Sequence, residues 1–293
     1  MSLTFFFILI FAIITPLAII EWRKSDNKKQ YLIKNTFFLA LGILFLFLFG
    51  PLFVFSPLKI GYQTQKIDNK TIIYPRGWKT KKDQFVQLIN QAEKNVLDFY
   101  PHQFPVTIIL TKNSFDLLRF TGMRRGGNNS LGRVYISSNS MDEGLITAEL
   151  SHYYLFNTTK RSSVYFPRWF DEGLAIYLGH QGSTARFTQP EQLEKLVNDQ
   201  RYSKDLSRWN GIAGQLRWTK EVKTGGYVTN IYTHSYFAVR FLTEEYGMEK
   251  LKSLIQKTKM NPSFENAFQN IYGLSTNEFG ELFLNSAERY TEK

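Results

Sequence analysis

Residues 166–178 read FPRWFDEGLAIYL, and an upstream stretch, residues 147–152, reads TAELSH. Pro167 suits the first turn of a helix and Gly179 offers a stop, so the longer stretch predicts a helix ending near Gly179. Upstream, Ser140-Met141-Asp142-Glu143 has the form of a capping box. It predicts a second helix, running to about Phe156, that carries Glu149 and His152. A Glu three residues before a His means little alone, since a helix surface or a satisfied core histidine looks the same. The Glu-Gly-Leu-Ala helix downstream changes that balance.

Together the two helices resemble the gluzincin metallopeptidases, specifically the peptidase-MA-like group. In that family one helix carries H-E-x-x-H and a second, about twenty residues on, carries W-x-x-E-G-L-A-x-Y. Trp169, Glu172, Gly173, Leu174, Ala175 and Tyr177 match the second pattern. The likeness runs from about residue 85 to 289. Val106 to Gly122 resembles the family's strand and helix ahead of an edge strand, and Tyr232 to Gly247 resembles a family helix ending in Tyr-Gly. The resemblance implies an α+β, zincin-like (gluzincin) domain. Residue by residue, it implies Glu149 as general base, His152 as a metal ligand and Glu172 as the third ligand. Arg133 to Ser137 would be the edge strand that aligns a substrate backbone. Tyr232 or His234 would steady the oxyanion. Zinc is the implied cofactor if the site is active, and a polypeptide is the implied substrate or partner.

The chemistry behind the motif is simple. Two His at i and i+4 share a helix face and grip one zinc ion, which lowers the pKa of its bound water to near 7. The intervening Glu takes the water's proton. Here the first ligand position is Ala148, and a methyl group binds no metal. One His and one Glu remain, against three protein ligands in catalytic zinc sites. A lost ligand costs on the order of 3 kcal/mol, about 100-fold in affinity. His180 reaches back to Glu172 only if its helix breaks at Gly179. His234 is the better substitute, because its helix resembles one that packs near the family's active site. Two functions from different classes follow. One is a pseudopeptidase that binds polypeptide without cutting it, with no metal required. The other is an active zinc metallopeptidase with a substitute ligand.

Around these helices the soluble part reads as a few strands followed by helices to the end, an α+β order. Thr71–Tyr74 and Val106–Leu110 are expected strands. Gly126-Gly127-Asn128-Asn129 is loop chemistry leading into Arg133–Ser137. Lys82–Tyr100 places Phe85, Leu88, Ile89, Ala92 and Val96 on one helical stripe, and Ser114–Phe120 predicts a short helix. Residues 201–228 read as loop. Helices follow over Tyr232–Tyr246, Met248–Lys257, Ser263–Ile271 and Ser275–Arg289, the last opening with a second capping box, Ser275 to Glu278.

The N-terminus has a different composition. Residues 3–20 and 37–55 are two uncharged apolar runs. Each approaches the roughly 20 residues needed to cross about 30 Å of hydrocarbon. Between them, residues 21–35 hold Arg23, Lys24, Lys28, Lys29 and Lys34 against Glu21 and Asp26. Short basic loops stay on the cytoplasmic side. The expectation is a two-span hairpin over residues 1–56, with residues 57–293 as a domain outside the cytoplasm and the lipid bilayer as a partner. The chain has 293 residues, 36 Lys and Arg against 25 Asp and Glu, and no cysteine. Lack of cysteine excludes a disulfide scaffold and a thiol nucleophile. A net charge of +11 invites a nucleic-acid reading. The basic residues are scattered and no nucleic-acid motif accompanies them, so nucleic acid is set aside.

Overall fold

The computed structural model of the chain describes residues 19–25, 27–123, 126–198, 206–224 and 228–290. Asn27 caps the first complete helix, α1 (Lys28–Phe49), its side chain accepting from the Gln30 amide at 3.0 Å. Twenty-two residues rise about 33 Å. None of this helix is buried in the protein, and its length and composition suffice to cross a membrane. The expected basic loop is therefore partly wrong: residues 28–35 are the first turns of α1. The expected span is also displaced at its other end. The helix stops at Gly50, and Phe53–Phe55 form a 3-10 turn with Phe53 buried in the domain. Gly50-Pro51 is the cause, since proline has no amide to continue the ladder. The run expected as the first span, residues 3–20, lies outside the described residues up to residue 18; residues 19–24 are helical.

A five-stranded mixed sheet follows, in the order β1-β2-β3-β5-β4. The strands are β1 (Tyr62–Ile67), β2 (Lys70–Pro75), β3 (Val106–Thr111), β4 (Gly127–Ser130) and β5 (Arg133–Ser137). The central three are parallel, and β1 and β4 run antiparallel at the two edges. Arg133–Ser137 is thus not the edge strand that was expected. It pairs with β3 on one side and with β4 on the other, and Val134 to Ser137 are buried. The Gly-Gly-Asn-Asn stretch read as loop supplies the true edge.

Side chains alternate across this sheet, as the pleat requires. Ile72, Ile108, Leu110, Val134 and Ile136 face a large core built with α2 (Lys79–Leu97), α4 (Glu143–Thr159) and the C-terminal helices. Ile73, Ile109 and Tyr135 face a smaller cluster with Phe53, Tyr62 and α3 (Ser114–Thr121). A buried ion pair ties the layers of the larger core: Lys70 Nζ lies 2.6 Å from Glu93 Oε2, and the Tyr154 hydroxyl donates to Glu93 Oε1 at 3.0 Å. At the head of α4 the N-cap is Asp142, whose side chain accepts from Leu145 N. The expected Ser140–Glu143 box does not form, because Ser140 belongs to a 3-10 turn and Glu143 is the first residue of the helix; its carboxylate accepts from Asn95 Nδ2 at 2.8 Å.

The rest is helical. α5 (Arg168–Leu178) is followed by α6 (Pro190–Val197), α7 (Gly211–Thr224), α8 (Val228–Tyr246), α9 (Met248–Thr258), α10 (Phe264–Tyr272) and α11 (Thr276–Asn285). The loop expected over residues 201–228 holds α7, while residues 201–205 and 225–227 lie outside the described set. The Ser275–Glu278 capping box forms in full. Trp169 of α5 packs against Phe264, Phe268 and Phe279 in the aromatic centre of this bundle. α5 lies across α8 at Gly173, where an added methyl would stand 2.2 Å from the Ser235 carbonyl oxygen. Gly173→Ala is accordingly expected to destabilise the fold by about 1–3 kcal/mol despite alanine's better helix propensity. Urea unfolding followed by tryptophan fluorescence would measure it; an unchanged midpoint would mean that the helix pair is not seated there.

Candidate active site

The N-terminal half of α5 meets the middle of α4, and the charged residues of both converge. Arg168, Asp171 and Glu172 fall at i, i+3 and i+4 and so share one face of α5. His152 of α4 faces them. Its Nδ1 lies 2.6 Å from Asp171 Oδ1, and its Nε2 lies 3.5 Å from Glu172 Oε2. Arg168 donates from Nη1 to Asp171 Oδ2 at 2.9 Å, and its other terminal nitrogen forms an ion pair with Glu172. The guanidinium also lies over the Trp218 ring, 5.6 Å from its centroid. All four charged side chains are largely buried.

Electrostatics follow from that packing. Burial works to lower the His152 pKa, but the charge of Asp171, their hydrogen bond and the charge of Glu149 outweigh it, and the pKa is raised. Burial likewise works to raise Asp171, yet His152 and Arg168 hold it below the usual carboxylate range. The result is a compact cluster of an imidazole and a guanidinium against two carboxylates.

Glu149 stands one turn before His152 on α4, beside β4. An added methyl at Gly127 would come within 2.7 Å of Glu149 Oε1, so the absence of a side chain at that edge position is what admits the carboxylate. Asn129 Nδ2 donates to the Glu149 carbonyl at 3.3 Å, joining α4 to β4. Ala148 is buried, close to the turn at Gly179. Tyr232 packs its ring against Phe187 and Trp218, at 5.0 and 5.6 Å between centroids. Through Trp218 it adjoins Arg168. His180 is exposed, with Nδ1 3.1 Å from the Tyr177 carbonyl.

His234 has a different setting. It is fully buried, stacked on Phe283 at 5.3 Å and edge-on to Trp209 at 6.2 Å. Burial pushes its pKa down to about 3. The unfolded chain would take up a proton there below about pH 6.5, while the native chain would stay neutral until near its own pKa. Stability is therefore lost as pH falls through that window, by about 2 kcal/mol between about pH 7 and pH 5. His234→Phe should remove this share of the loss. Urea midpoints of both proteins at the two pH values would show it, and parallel shifts would exclude the effect.

The donor set does not match a catalytic zinc site. His152 Nε2 and the Glu172 carboxylate are together, but the carboxylate already carries a guanidinium, and Ala148 supplies no donor. Among the described residues no group of three or more His, Asp or Glu side chains forms a metal site. His234 is not brought to the pair. Sequence reasoning missed Arg168, Asp171, Gly127 and Trp218. The first two were readable, since a cation at i with carboxylates at i+3 and i+4 marks one face of a helix.

A sheet whose antiparallel edge strand borders a helix bearing Glu149 and His152, with a Glu-Gly helix packed against it, defines a zincin-like peptidase domain. The Peptidase MA superfamily model matches residues 128–287, and the chain belongs to that superfamily. Among solved structures, the chain is similar to the M1 zinc metallopeptidase of Deinococcus radiodurans, at 12% identity and a TM-score of 0.38. It is similar also to a mutant of that enzyme bound to a Tyr-Ser-Ala substrate, at 13% identity and a TM-score of 0.46. Each likeness covers 76% of this chain and 51% of the other, so the chain spans about half the length of these structures. No curated protein matches the sequence.

Proposed function

We propose that the chain is a membrane-anchored pseudopeptidase, which holds polypeptide along its old cleft without hydrolysing it. The observation that carries this reading is Arg168, whose guanidinium is paired with Glu172, the carboxylate that would otherwise face a metal. Ala148 supports it from the sequence side. Among the described residues no strand pairs with the outer side of β4, bordered by Glu149, and an extended polypeptide would add there rather than at β5. In this reading residues 3–20 and the helix around residues 37–49 form a hairpin. The basic residues between them stay in the cytoplasm, and residues 57–293 stand outside it.

The active zinc metallopeptidase is a second reading, and one observation favours it. Asp171 clasps His152 Nδ1 and leaves Nε2 toward Glu172, the orientation a carboxylate imposes on ligating histidines. Glu149, His152 and Glu172 would be its working residues. Elemental analysis of the full chain, purified in detergent without chelator, separates the two. Far less than one zinc per chain is expected; a stoichiometric content, lost in His152→Ala, would overturn the pseudopeptidase. A further expectation is that Glu149→Gln leaves the biological role intact.

A further inference from the structure

The two faces of the sheet are covered unequally. Among the described residues, one carries α2, α4 and the C-terminal helices, and the other carries a thin layer made of the segment after α1, Tyr62 and α3. Phe53 anchors that layer, stacked on Phe120 at 4.6 Å and against Tyr62 at 5.1 Å. Phe53 is the fourth residue after Phe49 at the end of α1, so the layer starts at most about 14 Å from that helix.

The outward side of this layer is apolar. Phe115 is 67% exposed and Leu118 37%, three residues apart on one face of α3. In the segment after α1, Leu58 and Ile60 are exposed, and the exposed Phe55 ring lies under Arg133, its centroid 5.7 Å from the guanidinium carbon. Leu131 completes the set at the tip of the β4–β5 turn. Ser130 pairs with Arg133, so Leu131 and Gly132 form a two-residue turn, both with positive φ, 53° and 67°. Asn or Gly sits there without strain, and here the position carries an exposed leucine.

Cations accompany these side chains. Lys112 Nζ lies 5.9 Å from the Tyr62 ring, and Arg119 covers Phe120 at 4.6 Å. Asp116, the carboxylate between them, is buried and taken up by the Tyr62 hydroxyl at 2.7 Å and Arg119 at 3.2 Å. Apolar side chains rimmed by Lys and Arg match the headgroup and acyl boundary of an anionic bilayer.

We infer that this layer docks on the membrane surface, with Phe115, Leu118 and Leu131 inserted about 5–10 Å and Lys112, Arg119 and Arg133 against anionic headgroups. The inference rests on α1 crossing that same membrane. It would turn the sheet's thin side to the lipid and the helical side away.

The chain contains no cysteine, so single labels can be placed in the full protein. Leu41→Cys in α1, Leu118→Cys, Leu131→Cys and Met260→Cys on the helical side would each carry an environment-sensitive fluorophore. The proteins go into phosphatidylcholine vesicles containing phosphatidylglycerol, with bromine at a shallow acyl position or a deep one. Deep quenching is expected at position 41, shallow quenching at 118 and 131, and none at 260. Lys112→Gln should lower the docked-to-undocked ratio about fivefold. Labels at 118 and 131 quenched no more than at 260, with 41 still quenched, would overturn the docking and leave the span standing. An unquenched label at 41 would remove the span and the docking together. Shallow quenching undiminished in pure phosphatidylcholine would overturn the role of the cations.

Discussion

Arg168→Ala is expected to destabilise the domain by about 3–5 kcal/mol. The reason is what the change leaves behind. Asp171 is 1% exposed at its side chain and Glu172 9%, and both face His152. With the guanidinium gone, only the His152 ring faces two carboxylates that water barely reaches. Removing one partner of a buried ionic group costs far more than the intact group contributes, because the remainder stays buried and unbalanced. For a domain of this size the loss amounts to on the order of 10 °C in melting temperature. Arg240→Ala provides the scale for comparison. Its guanidinium pairs with Glu244 at 2.7 Å, but both groups are about a third or more exposed, and truncation should cost under about 1 kcal/mol. Thermal unfolding read by tryptophan fluorescence would compare the two. Equal, small shifts would mean that Arg168 is not fixed on the carboxylates, and the case for an occupied ligand position would go with it.

How far the sequence alone could reach is clearest at three places. Capped helices with one apolar stripe were legible, as with Ser275–Glu278 and the stripe of α2, because caps and stripes are local properties. Whether a strand is an edge is not local. Arg133–Ser137 shows the alternation of an edge, yet β4 covers it, and β4 was hidden because Gly127 is there to admit Glu149 from another element. The helix α7 was hidden in the same way. An added methyl at Gly214 would stand 2.1 Å from the Trp209 backbone, so the glycine serves a close approach rather than a turn. Ile212 and Leu216 are exposed on this helix, which blurs the stripe a reader would look for. In the site, His152 Nε2 and Glu172 Oε2 lie 3.5 Å apart. His234, chosen because its helix matched, lies among Trp209 and Phe283. A helix can be placed by resemblance while the facing of one residue on it is set by packing.

Restoring the missing ligand gives the second large effect. Ala148→His would put an imidazole at i with His152 at i+4, on one face of α4. Alone it should bind zinc weakly, because Arg168 still neutralises Glu172 and a dication would have to displace it. The double variant Ala148→His/Arg168→Ala removes that competitor and leaves two imidazoles and one carboxylate, the ligand count of a catalytic zinc site. A gained ligand is worth about 100-fold in affinity, so zinc should bind the double variant at least that much more tightly than the natural chain. The same ion would supply the positive charge lost with the guanidinium. Zinc at about 1,000 times its dissociation constant would add about 4 kcal/mol, offsetting most of the cost of Arg168→Ala. The melting temperature of the double variant should therefore rise in zinc and fall again with chelator, while Arg168→Ala alone responds little. If both variants respond alike, the zinc binds through groups other than the restored pair. If neither responds, α4 and α5 do not hold their side chains in reach of one ion.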